Sequence, residues 1–158
     1  MALIGIEKLV FGVEDLELCK KFWRDFGMAV VDDSPGHGLF ATTSNAKVEV
    51  RKLDDPALPP ALVEGSTVRE TIWAVSDQGS LDAIAEDLAK DREVTIDGDG
   101  TVHSLDPEGY GIGFRVTERI ELADPGTRYN VPGREDRVNV LATFYDGATP
   151  RHLAHVVF

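Results

Sequence analysis

Apolar residues run through the first part of the chain in two rounds of one pattern: a strand-like run, a helical face, then three short strand-like runs. Residues 3–13 (Leu3-Ile4-Gly5-Ile6-Glu7-Lys8-Leu9-Val10-Phe11-Gly12-Val13) are apolar and β-branched enough to predict a strand, buried on both faces near its end. Glu14-Asp15 then place negative charge at a helix start, and apolar residues at 16, 19, 22, 23 and 26 predict a face packed on a sheet and ended by Gly27. Met28–Val31, Gly38–Thr42 and Ala46–Leu53 are short strand candidates, separated by the turn-prone runs Asp32-Asp33-Ser34-Pro35-Gly36 and Thr43-Ser44-Asn45. The order of this first unit is β-α-β-β-β, over residues 3–53.

Residues 54–67 carry Pro56, Pro59, Pro60 and Gly65 and read as a linker. The order then begins again over 68–117. Val68–Val75 predicts a strand, Ser80 is the candidate cap of a helix with Leu81, Ile84, Ala85 and Leu88 on its apolar face, and Glu93–Ile96, Thr101–Leu105 and Gly111–Thr117 predict three strands. Phe11 and Trp73 close matching strand starts, Lys8-Leu9-Val10-Phe11 and Glu70-Thr71-Ile72-Trp73, and set a repeat of 62 residues.

Residues 118–149 break the pattern. Mixed charge and the pairs Pro125-Gly126 and Pro132-Gly133 predict a connecting segment along the surface, with a short strand around Val138–Tyr145. Pro150-Arg151-His152-Leu153-Ala154-His155-Val156-Val157-Phe158 looks like a third strand start, with His155 where the first two have Lys8 and Glu70. An apolar run is an awkward natural terminus, so residues 150–158 are expected to open a third unit that continues beyond the chain.

Composition narrows the partners. With 42% hydrophobic residues in 158 the chain has enough apolar mass for a core. Sixteen Lys+Arg against 28 Asp+Glu give a formal charge of −12, which repels nucleic-acid phosphates and anionic lipid. No apolar run approaches the roughly 20 residues of a membrane span, and a signal peptide pattern is lacking, which points to the cytoplasm. The single Cys19 falls on the helical apolar face and reads as a small core residue. An unpaired terminal strand would offer a route to a homo-oligomer.

Two stretches carry a family resemblance. Phe22-Trp23-Arg24-Asp25-Phe26-Gly27-Met28 is similar to the helix end and following strand of a first module in the vicinal oxygen chelate superfamily, and Asp106-Pro107-Glu108-Gly109-Tyr110 to the turn before a module's last strand. Over residues 3–117, and again over 150–158, the chain resembles this superfamily, which includes glyoxalase I, bleomycin-resistance proteins and type I extradiol dioxygenases. The resemblance implies an α+β fold of two tandem βαβββ modules. It also implies metal ligands on a module's first strand, commonly His, and last strand, commonly Glu. Lys8 and Glu70 hold the first-strand positions here, and Gly113 stands where the second module's carboxylate is expected, so both sites look degenerate. Glu49 is the one candidate last-strand ligand, with a solvent-facing carboxylate as the plainer reading.

Degenerate first modules followed by a histidine in a third most resemble the N-terminal domain of a type I extradiol dioxygenase. By that resemblance His155 is the first ligand of an Fe(II) whose other ligands lie downstream, the substrates are a catechol-type aromatic and O2, and this piece alone has no catalytic residue and no activity. The alternatives are a bleomycin-resistance-like module that binds a small molecule without catalysis, and a metal-dependent isomerase or lyase of the glyoxalase type. His152 falls on the opposite strand face from His155 and reads as a surface residue. His37 and His103 read as structural, having no suitable partner nearby in sequence. The glycine string at 109, 111 and 113 lacks the strand-before, helix-after context of a phosphate loop.

Overall fold

The computed structural model describes residues 3–123, 130, 132–135 and 147–157. Strand β1 (Leu3–Val13) leads into helix α1 (Leu16–Asp25), followed by β2 (Ala29–Asp32), β3 (His37–Ala41) and β4 (Lys47–Lys52). After the linker come β5 (Thr67–Val75), α2 (Gln78–Leu88), β6 (Thr95–Ile96), β7 (Val102–Leu105) and β8 (Gly111–Val116). All eight strands join one sheet in the order β2-β3-β4-β1-β5-β8-β7-β6, so the halves mirror each other about a central antiparallel β1–β5 pair. Within each module the last strand returns parallel to the first, β4 beside β1 and β8 beside β5, because the helical crossover reverses the chain. This is an α+β fold of two tandem βαβββ modules.

Each helix covers one face of its own half of the sheet. Val13, Leu16, Met28, Phe40, Val48 and Val50 form the core under α1, and Val75, Leu81, Ile84 and Val102 the smaller core under α2. Since strand side chains alternate, Glu49 between Val48 and Val50 must leave by the opposite, concave face, and Gly113 occupies the same place between Ile112 and Phe114. Gly5, at φ 147°, sits where the β1–β5 register shifts, a bend that a side chain would strain.

Two local expectations need correction. Helix α2 is capped by Asp77, whose carboxylate accepts from the Ser80 backbone N–H at 2.9 Å, and not by Ser80. Asp77 is the last extended residue, so its side chain reaches the free N–H groups that Ser80, already inside the first turn, helps supply. Phe22 and Phe26 are 54% and 53% exposed instead of facing the sheet. At roughly 100° per residue, Leu16, Lys20 and Trp23 line the sheet-facing side, which turns 22 and 26 onto the flank. There the two rings stack at 5.7 Å beside Trp23. Lys20 fills the core position with its stem, its ammonium donating to the Ser34 carbonyl at 2.8 Å and pairing with Asp33 at 2.9 Å. Cys19 is partly buried against the module-one core.

The start of the connecting segment is tied to module one: Glu118 N–H donates to the buried Glu7 carboxylate at 2.9 Å, and Ile120 N–H to the Ser44 carbonyl at 3.0 Å. The strand expected around 138–145 lies outside the described residues. Residues 147–157 form no strand, correcting the expectation of a strand at 150–158 as far as this structure describes it. A first strand needs a partner ladder, and this segment instead lies over module one. Its Pro150 and Arg151 carbonyls accept from Thr43 and Ser44 N–H groups, both at 2.9 Å, and Leu153 packs against the core under α1.

Candidate functional site

The ladder registers superimpose the two modules. Val10 faces Glu49 across β1–β4 as Ile72 faces Gly113 across β5–β8, and Lys8 and Glu70 sit two residues earlier on their strands. All four first-strand and last-strand positions therefore meet the concave face, and the side chains on them decide what each module holds.

In module one that face is closed by ions. Glu49, 3% exposed, is not the solvent-facing carboxylate of the plainer reading. Lys8 Nζ donates to its Oε2 at 2.6 Å, Arg51 Nε donates to Oε1, and His37 Nε2 stands 3.2 Å from Oε1. His37 Nδ1 meets Asp32 Oδ2 at 2.7 Å, and Ser34 Oγ donates to that same oxygen at 3.0 Å. Burial alone would raise the pKa of Glu49, but the charge and hydrogen bond of Lys8, with those of Arg51, outweigh it and pull the pKa down to about 2. Glu49 is thus held ionised by two cations, Lys8 and Arg51.

In module two the corresponding pair is Glu70 and a gap. A Cβ at Gly113 would lie 2.9 Å from Ile72 Cγ1 and 3.2 Å from Glu70 Oε1, so the Glu70 carboxylate leans over the space that a side chain there would need. Leaning so, it reaches His103 on β7, whose Nδ1 is 2.7 Å from Glu70 Oε1. The Glu70 hydrogen bond, opposed by burial and reinforced by the charges of Glu70 and Asp97, raises the His103 pKa above the ordinary imidazole range. Asp97 Oδ2 stands 3.1 Å from Nε2 but off the line of its N–H, so that buried nitrogen has charge contact without a formed hydrogen bond.

Beside this pair opens a cavity of about 700 Å³, a size that suits small ligands. One wall is the linker, with Leu58, Pro59 and Pro60; Leu105 and Pro107 face it, and Glu70, His103 and Asp97 line the polar side. The wall is held by the buried Arg69, whose guanidinium donates to the Pro59 carbonyl at 2.7 Å and the Leu53 carbonyl at 3.3 Å. A proline-rich stretch that reads as a connection therefore forms part of a binding surface.

Neither module fits a divalent metal at its first-strand and last-strand positions. In module one an ammonium already faces the carboxylate at bonding distance, and in module two the last-strand position has no side chain. Among the described residues no group of three or more His, Cys, Asp or Glu side chains is placed to hold a metal ion. His155 and His152 both lie exposed on the irregular 147–157 segment, so the structure brings His155 to no other candidate residue. His37 and His103 find their partners on neighbouring strands or across a turn, where a search of their immediate sequence neighbours does not reach. For His103 a signal existed: the turn at Asp106–Gly109 pairs Leu105 with Gly111, which puts His103 opposite Gly113 and hence beside Glu70.

Comparison with solved structures agrees with this architecture. The Mn(II)-bound glyoxalase from Novosphingobium aromaticivorans matches with a TM-score of 0.57 and 17% identity over 77% of this chain and 42% of its own. Homoprotocatechuate 2,3-dioxygenase from Arthrobacter globiformis matches with a TM-score of 0.59 and 17% identity over 75% of this chain and 38% of its own. A catechol 2,3-dioxygenase matches at 0.58 and 18%, over 74% and 41% respectively. The fold is that of the vicinal oxygen chelate proteins, and the chain spans less than half the length of these neighbours. No family model and no curated protein matches the sequence.

Proposed function

We propose that this chain is the metal-free scaffold half of an Fe(II)-dependent extradiol dioxygenase that opens a catechol-type ring with O2. The observation carrying this reading is the Lys8–Glu49 pair at 2.6 Å, which puts a protein cation where a metal's first-strand and last-strand donors would otherwise face each other. Such a module keeps its shape without iron, as a scaffold must. In this reading His155 is the first ligand of a following module, joined there by a second imidazole and a carboxylate. Iron so held would leave open positions to gather both oxygens of the diol and O2.

The test is made on the natural gene product. A protein near twice this length, with bound iron and ring-cleaving activity, is the expected result. In it His155→Ala should lose iron and turnover together, while His152→Ala should keep both nearly unchanged. A natural product of 158 residues, or equal iron loss in the two variants, overturns the proposal.

A further inference from the structure

We propose that the cavity of module two is a binding site for a small neutral molecule with an apolar body and one carbonyl or hydroxyl oxygen, which accepts a hydrogen bond from His103 Nε2. It follows from what the cavity walls leave unused. Most of its polar groups already have partners. Ser104 Oγ donates to the Glu93 carbonyl at 2.8 Å, Arg92 pairs with Asp91 and donates to the Leu105 carbonyl, and Glu70 is occupied by His103 Nδ1. Among its buried side-chain polar atoms the exception is His103 Nε2, which forms no hydrogen bond and has as ion-pair neighbour, at 3.1 Å, an Asp97 carboxylate that is 66% exposed.

An unbonded buried N–H is a standing cost that an incoming acceptor relieves. Displacing Asp97 opposes this only weakly, since it is an exposed partner free to turn into water. The ligand's charge follows from the surroundings. A carboxylate ligand would enter among Glu70, Asp91, Glu93, Asp97 and Asp106, and an ammonium, though drawn to those carboxylates, cannot accept a hydrogen bond from an N–H at His103 Nε2. A neutral oxygen avoids both. The apolar body then lies between the Leu58-Pro59-Pro60 wall, which Arg69 holds in place, and Leu105 with Pro107.

The experiment titrates the chain with benzamide, benzoate and benzylamine and follows the ring resonances of His103 by NMR. Benzamide should shift them saturably, with the two ions binding at least roughly tenfold more weakly. Two substitutions at exposed positions preserve the fold and separate the parts of the argument. Ala57→Trp, which fills the cavity from the linker side, should abolish binding. Asp97→Ala, which uncovers Nε2, should leave benzamide affinity equal or higher. Absence of a saturable shift with any probe, preference for either ion, survival of binding in Ala57→Trp, or marked weakening in Asp97→Ala overturns the proposal.

Discussion

In module one the concave face is packed with charge, and in module two the same backbone encloses a cavity. The registers are equivalent, so the difference rests on a few side chains. Glu49 draws Lys8, Arg51 and His37 inward and the space fills. Gly113 offers nothing to draw on, Glu70 turns to His103, and the space beside them stays open. One missing side chain at the last-strand position thus separates a filled face from an open one. Neither presents the donor set of a metal site, for opposite reasons: one places its own cation against the carboxylate, the other has no side chain at the last-strand position.

The largest effect that tests this contrast is expected from Lys8→Ala. It strands most of the charge on Glu49, which is 4% exposed, against Arg51 and His37 alone, and should lower the unfolding free energy by about 3 kcal/mol in urea titration. The same pair sets the acid limit of the wild type. With the folded pKa of Glu49 pulled to about 2 from an ordinary value of 4.5, its contribution is fully present above the ordinary value and is lost as pH falls through the folded one. In Lys8→Ala that slope should flatten. If the variant unfolds at the wild-type urea midpoint with an unchanged acid slope, the ionic closure of module one is not what stabilises it.

Gly113→Ala ranks next. The added methyl would push on Ile72 Cγ1 and on the Glu70 carboxylate, so a loss of about 1–2 kcal/mol is expected, together with a shift of the His103 ring signals. Gly98→Ala, in an open turn with nothing within 4 Å of the added atom, serves as control and should stay within about 0.5 kcal/mol of wild type. Equal effects at the two glycines would mean that Glu70 does not depend on the empty position.

Much of this was legible in the sequence. The doubled β-α-β-β-β order and the 62-residue offset follow from periodicity. What escaped shares one physical cause: side-chain partners set by cross-strand register are far apart in sequence. Glu49 meets Lys8 41 residues away, and His103 meets Glu70 33 residues away. Reading each histidine against its sequence neighbours therefore missed both networks. Phe22 and Phe26 misled for another reason, because hydrophobicity alone cannot show that the stem of Lys20 serves better on the buried side of α1.

The smallest effect, and the one that sets the modules most directly against each other, lies on the alkaline side. His103 is held protonated by Glu70, with Asp97 adding its charge from the cavity mouth, so its folded pKa lies above the ordinary 6.5. A raised pKa contributes stability that is complete below the ordinary value and is lost as pH rises through the folded one, the reverse of Glu49. Module one should therefore weaken toward acid and module two toward mild alkali. Because the His103 side chain is 23% exposed and Asp97 far more so, the alkaline loss should be the shallower slope. Glu70→Gln separates cause from coincidence: it keeps a hydrogen-bonding side chain in place but removes the charge. The His103 titration, followed by NMR, should then move back toward the ordinary imidazole range, and the decline of Tm as pH rises above the ordinary imidazole value should flatten while the acid slope set by Glu49 stays as it was. An unchanged His103 titration in Glu70→Gln would show that the imidazole takes its proton affinity from elsewhere, and the pairing that distinguishes the hollow module would have to be redrawn.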